Sequence, residues 1–323
     1  MQEKPRSWLP LSFEDLKTTS LHTRPSKVCK EDLGKPWSAG GTLRHFVKSL
    51  PGFLGARQFR QVVQAIAMAV RAEGTVLLGM GAHPIKVGLS PIIVDALEHG
   101  LFSGLAMNGA GIIHDVEIAL AGKTSEDVAA HLAAGQFGMA RETAEFIHGA
   151  VQVGRAKGHC GLGQSVGERL LEQGAPYIQL SILARAAQLQ IPVTVHVAFG
   201  TDIIHMHPAM DGAAMGELSH YDFRLFCRLV STLEQGVYIN LGSAVILPEV
   251  FLKAVNVAHN LGHALQGLTT VNMDFVRHYR AQVNVVERPA GSSGTGLSLI
   301  GHHEIMFPLL IAAVMEFLIG DDK

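Results

Sequence analysis

Beyond about residue 40 the chain alternates short, almost wholly apolar runs with amphipathic stretches of helical period. TVLLGMGAH, LFSGLAMNGAG, IPVTVHVAFGTD and GVYINLGSA are apolar runs that close on glycine, whereas SPIIVDALEHG, HDVEIALAG, FRLFCRLVSTLEQ and PEVFLKAVNVAHNLG space their apolar residues three and four apart. A strand covered on both faces needs no polar alternate positions, so such runs interleaved with helices predict βαβ units. The predicted fold class is α/β, a Rossmann-like parallel sheet with helices on both faces and an N-terminal extension. Residues 1–40 are rich in Lys, Ser, Thr and Pro and carry no period, which predicts an arm packed on the body or on a neighbouring subunit. Residues 41–323 are expected to form one domain, with no internal repeat of fixed period and no low-complexity tract.

Composition narrows the classes. With 48% hydrophobic residues in 323, the chain can bury a large core. The 26 basic residues do not exceed the 28 acidic ones, so nucleic acid is not an expected partner. Cys29, Cys160 and Cys227 show no CxxC spacing, and a reducing, cytoplasmic compartment is expected. No segment approaches the ~20 apolar residues a membrane helix needs. The apolar stretch at 305–320 is broken by Pro308 and Glu316 and reads as a buried helix.

In open parallel sheets ligands gather outside the carboxyl ends of the strands. Four such ends carry glycine here: Gly79-Met80-Gly81-Ala82-His83-Pro84, Asn108-Gly109-Ala110-Gly111, Gly200-Thr201-Asp202 and Gly242-Ser243-Ala244. Glycine admits a ligand close to the backbone, and the free N–H groups of the next helix attract phosphate, so four such loops on one edge predict a dinucleotide, NAD. None matches a strict GxGxxG, and any one alone is explained by a tight turn.

Polar residues cluster near these loops. Asp115 and Glu117 follow the second loop at a predicted helix start, where capping accounts for one of them. His114 is a candidate proton carrier, although adjacent residues on a helix do not face each other, so Asp115 is poorly placed to orient it. Lys86 follows the first loop, and Glu249 and Lys253 follow the fourth; either lysine would meet a phosphate or serve as an amine nucleophile. On an extended loop His205 and His207 point the same way, as two metal ligands or a base and its partner would. His302, His303 and Glu304 form a second cluster, but with 17 histidines some clustering arises by chance.

The run LLGMGAHPIKVGLSPIIVDALEHGLFSGLAMNGAGIIHDVE, the turn GTDIIHMHP and the segment DFRLFCRLVSTLEQGVYINLGSAVILPEVFLKA together resemble the deoxyhypusine synthase-like NAD-binding superfamily, over about residues 70–260. The resemblance implies a Rossmann-like fold with NAD at these loops, and a tetramer with active sites between paired subunits. It also implies chemistry in which NAD oxidises a polyamine, a lysine imine carries the aminobutyl group, and the hydride returns. Carried over by position, Gly79, Met80, Gly81, Ala82, Asn108, Gly109, Ala110, Gly111, Asp115, Glu117, Asp202, Gly242, Ser243 and Ala244 would line the cofactor. The family's lysine would fall near Leu247, where none stands; Lys253 lies two helical turns further on.

The expected function is an NAD-dependent transferase or oxidoreductase, a homo-oligomer (dimer or tetramer) that acts on a small amine or amino-acid-like substrate by transient hydride transfer. Lys86 and Thr201 join the cofactor loops, and His114, His205, His207, Glu249 and Lys253 are the candidate catalytic residues. One alternative is a metal-dependent hydrolase or isomerase in which His205, His207, His302, His303 and Glu304 hold a divalent ion. Another is a non-catalytic nucleotide-binding protein.

Overall fold

Short apolar runs become strands when both of their faces are covered, and six do so here in a computed structural model that describes residues 8–319. The strands are β1 (Val76–Met80), β2 (Gly104–Asn108), β3 (Val193–His196), β4 (Val237–Leu241), β5 (Thr269–Asp274) and β6 (Thr295–Ile300). All pair in parallel, in the order β3-β2-β1-β4-β5-β6. The chain therefore walks outward from β1 through β2 to β3, returns to lay β4 beside β1, and walks out the other way. Connections leave β1 and β4 in opposite directions, which opens a crevice at their carboxyl ends. The predicted Rossmann-like α/β fold is the one the chain adopts.

Thirteen α-helices precede, connect and follow these strands among the described residues: α1 (Leu43–Ser49), α2 (Leu54–Arg71), α3 (His83–Lys86), α4 (Ser90–Glu98), α5 (Gly109–Ala121), α6 (Val128–Leu132), α7 (Arg141–Lys157), α8 (Leu162–Gln173), α9 (Ile182–Gln188), α10 (Gly212–Val230), α11 (Ile246–Asn260), α12 (Tyr279–Ala281) and α13 (His303–Leu318). Val76, Leu78 and Met80 of β1 point into a core shared with α2, α4, α5 and α13. Leu77 points the other way, into a smaller core with α10 and α11. Helix α2 buries Phe59, Val62, Val63, Ile66 and Ala67 at the three-and-four spacing of a single stripe. That stripe lies against α13 and β6.

The carboxyl-terminal apolar stretch is α13, with Pro308 inside it. Among the described residues no helix is long and apolar enough to cross a membrane. Residues 1–7 of the expected arm, and Gly320 at the end of the apolar stretch, lie outside the described residues. From residue 8 to α1 the chain holds only one 3-10 turn, Lys30–Asp32, and exposes Trp8, Leu9, Leu11 and Phe13. Trp37 meets Phe46 of α1 edge-on, with ring centroids 5.7 Å apart.

A polar seam crosses the smaller-core face of the sheet. Gly79, Asn240, Asn272 and Ser298 are register partners on β1, β4, β5 and β6. All three polar members are buried. Asn240 donates to Asn272 Oδ1 at 2.7 Å and to the Ser243 carbonyl at 2.9 Å. Gly79 is glycine because a Cβ there would sit 2.2 Å from the Tyr238 hydroxyl. Gly79 and Met80, expected to line the cofactor, are the last two residues of β1 and are buried, Met80 in the larger core.

Candidate functional site

At the switch point the loops after β1 and β4 press on each other. Gly81 N–H donates to the Leu241 carbonyl, continuing the ladder, and a Cβ on Gly81 would meet the Gly242 carbonyl oxygen at 2.2 Å. Gly242 itself takes φ +61°, and a Cβ there would lie 2.7 Å from His303 Cε1. These two glycines serve loop-against-loop packing. Beyond them Ser243 Oγ accepts from Leu247 N–H at 3.1 Å and starts α11. The N–H groups of Ala244, Val245 and Ile246 meet no acceptor among the described residues, and Val245 is exposed. Such a turn at the head of a fifteen-residue helix is a ready anion cradle.

Beside it stands a group that linear spacing did not reveal. His83 opens α3, His303 opens α13, and their Nδ1 atoms are 2.8 Å apart. His303 is 1% exposed, and its Nε2 lies 3.6 Å from Oδ1 of Asp274, the last residue of β5, which is 3% exposed. Phe275 covers both imidazoles, at centroid distances of 5.4 and 5.6 Å. Burial lowers the His303 pKa, with Asp274 pulling the other way. His83 and Asp274 were absent from the sequence candidates, because three strand ends supply the group. The only linear cue was polar residues at the carboxyl ends of apolar runs.

The other half of the edge, beyond β2 and β3, holds a cavity of 180 Å³. Lys86, His114, Glu117, Glu126, Thr201 and Asp202 give it its polar lining. His114 donates to Thr124, 2.6 Å away, and Thr124 donates in turn to Glu117. Burial would raise the Glu117 pKa, but these hydrogen bonds hold it below the usual value. Asp202 accepts from Ala198 N–H at 2.9 Å and lies against Gly109, where a Cβ would meet its carboxylate at 2.0 Å. Burial raises its pKa. The start of α5 is thus faced by the chain's own carboxylate. Asn108 caps it, accepting from Gly111 N–H at 2.9 Å, while Ala110 joins the cavity wall.

Several sequence candidates stand elsewhere. Asp115 does not cap its own helix and cannot line a cofactor. It is wholly buried in the middle of α5 and holds the start of α9, accepting from Ser181 Oγ and from Ile182 and Leu183 N–H at 2.5–3.2 Å. Burial raises its pKa to about 6. His205 and His207 do not point the same way: residues Ile203–Met206 form a 3-10 turn, which rotates them apart. His205 stacks on Phe199 and His207 on His148. His302 is exposed while the adjacent His303 is buried, and Glu304 is exposed, 3.8 Å from His302. Among the described residues no three His, Cys, Asp or Glu side chains gather into a metal-ligand set, and the His205–His207 and His302–Glu304 segments are not brought together as one. Lys253 is an exposed partner of Glu249, which also accepts from Arg280 at 3.0 Å and Asn284 at 2.9 Å. Glu249 therefore ties α11 to the segment after β5, its pKa lowered first by the Lys253 hydrogen bond. Leu247, where the family lysine would fall, is buried in the smaller core.

No family model and no curated protein matches the chain. Solved structures share its fold. AgrE in a ternary complex with ornithine and NAD+ superposes with a TM-score of 0.51 and 15% identity, over 81% of this chain and 34% of AgrE. A candidate LOR/SDH protein from Methanococcus maripaludis S2 gives 0.51 and 14%, over 87% and 72%. A candidate deoxyhypusine synthase from Entamoeba histolytica gives 0.50 and 15%, over 88% and 96%. The chain spans about a third of AgrE's length and nearly all of the Entamoeba protein's. At these identities the likeness is one of architecture: the chain shares the Rossmann-like α/β fold of these structures.

Proposed function

We propose that the chain is an NAD-dependent enzyme that removes and returns a hydride on a small amine or amino-acid-like substrate. The observation that carries this is the open first turn of α11 at the switch point, where three N–H donors lie free beside Gly242. Those donors fit a pyrophosphate, and the 180 Å³ cavity, well under the ~300 Å³ at which ordinary ligand sites begin, leaves room for a small molecule only. NAD held along this edge would supply the hydride acceptor. Lys86 would meet a substrate carboxylate, and Glu117, Glu126 and Asp202 its ammonium; a cavity with both signs of charge suits a zwitterion. AgrE, of the same fold, carries ornithine and NAD+ in its complex, which supports the pairing. A covalent lysine imine is not part of the proposal, because Leu247 is buried and Lys253 is paired. A homo-oligomer in the cytoplasm completes the reading.

The test is to denature purified protein and identify the small molecules released, then titrate the emptied chain with NAD. Release of NAD(H), or binding on addition, is expected; neither occurring would overturn the proposal. Cofactor bound but never reduced across a broad panel of amines and amino acids would mark a non-catalytic nucleotide-binding protein instead.

A further inference from the structure

We infer that His83 is the proton acceptor of this site, and that His303 and Asp274 are positioning residues that fix its tautomer. The inference rests on the NAD reading above and goes on from the geometry of the three side chains. Two imidazole nitrogens 2.8 Å apart share one proton, one donating and the other accepting. The far nitrogen of His303, Nε2, is buried, makes no hydrogen bond, and faces the Asp274 carboxylate at 3.6 Å. A proton on that nitrogen is drawn by the carboxylate. Nδ1 of His303 is then an acceptor, His83 Nδ1–H must donate to it, and the lone pair of His83 Nε2 is left free.

His83 is the half-buried member of the group, at the start of α3 just after Gly81. Other charged and titratable groups on the elements that form the cluster include Lys86 on the helix of His83, His278, 3.8 Å from the second Asp274 oxygen, and His302 with Glu304 at the head of α13. The two imidazoles cannot both be cationic in this geometry, since N–H would then face N–H. The group takes up one proton, and Asp274 steadies the resulting charge through His303.

Such a group would suit the proposed oxidation. NAD, when bound, would supply the two-electron acceptor for the hydride, and the N–H or O–H proton released as a C=N or C=O bond forms would pass to His83 Nε2; His83 opens the short helix whose last residue, Lys86, lines the substrate cavity. Return of the hydride would reverse each transfer.

The experiment uses full-length protein labelled with 15N-histidine and long-range 1H–15N spectra recorded against pH, without NAD. Expected are His83 in the Nδ1–H tautomer and uptake of a single proton by the pair. Asp274→Asn should weaken that uptake about tenfold, one pKa unit, and Asp274→Glu should restore part of it. A wild-type His83 with its proton on Nε2 overturns the inference by itself, even if the variants fail to fold. So does a folded Asp274→Asn protein whose His83 titrates as before. In a second arm, diethyl pyrocarbonate modification of His83 is followed by mass spectrometry with and without saturating NAD. Slower modification is expected. A protein that binds NAD but leaves His83 unshielded overturns the assignment of His83 alone; a protein that binds no NAD overturns the cofactor reading and the inference with it.

Discussion

The two halves of the carboxyl edge are built differently. Around β1, β4, β5 and β6 the polar groups are buried and locked to one another: His83 on His303, His303 facing Asp274, and Gly81 against the Gly242 carbonyl. Around β2 and β3 the polar groups line an open cavity and keep capacity for a ligand, as Lys86 and the Glu117 and Asp202 carboxylates do. A group whose members are held against one another has one arrangement and suits proton transfer, which tolerates little displacement. An open wall of both charges suits recognition. The difference teaches that glycine has two meanings on this edge, close packing at Gly81, Gly242 and Gly109 and an open turn at Gly200.

The sharpest way to break the comparison is to add one methyl group to each half. Gly81→Ala drives a Cβ into a backbone oxygen that cannot move aside, and should cost about 3 kcal/mol in urea denaturation. Gly200→Ala, at φ +87° with open space around it, should cost about 1 kcal/mol through backbone strain alone. Equal losses in the two variants would erase the distinction.

A smaller effect belongs to the frame beneath the open half. Asp222 is fully buried, accepts from Gly163 and Val195 N–H, and has its pKa raised by burial to about 7. Asp115 is raised to about 6. Between pH 8 and 6.5 the folded state thus binds protons that the unfolded carboxylates do not, so stability should rise as pH falls. His196, lowered to about 3 by burial, opposes this below pH 6.5, because the unfolded chain protonates that histidine and the fold does not. Thermal melts should therefore rise from pH 8 to pH 6.5, and Asp222→Asn should flatten that rise. A melting temperature that climbs from pH 6.5 to 8 would contradict this.

The mildest change concerns the cavity wall. Lys86→Ala removes a charge from an exposed position and should shift stability by no more than about 0.5 kcal/mol, while Glu117→Gln also weakens the hydrogen bonds from Thr124 and Thr143 and should cost about 1 kcal/mol. Each should weaken binding of a small amino acid about tenfold in calorimetric titration, the worth of one charged hydrogen bond. Loss of stability without loss of binding would make the wall structural.

What the sequence disclosed follows from how local each signal is. The first four strands were legible because each is a continuous apolar run. β5 was not, because Thr269, Thr270, Asn272 and Asp274 interrupt its run, and its polarity makes sense only beside Asn240 on β4. Capping was the right explanation for Asp115 on the wrong helix, since its partner Ser181 lies 66 residues away. His205 and His207 misled because an extended loop was assumed where the chain makes a 3-10 turn. His83, Asp274 and His303 come from three strand ends, and nothing in linear spacing brings them together.

The seam of Asn240 and Asn272 has a consequence for assembly of the sheet. Side chains alternate faces along a strand, so a slip of β5 by one residue against β4 would turn Asn272 into the larger, apolar core and leave the Asn240 amide without its partner. Parallel strands of nearly uniform hydrophobic character have little else to tell one alignment from the next. The amide pair makes every misaligned sheet costlier than the native one, and acts as a key cut for a single register during folding.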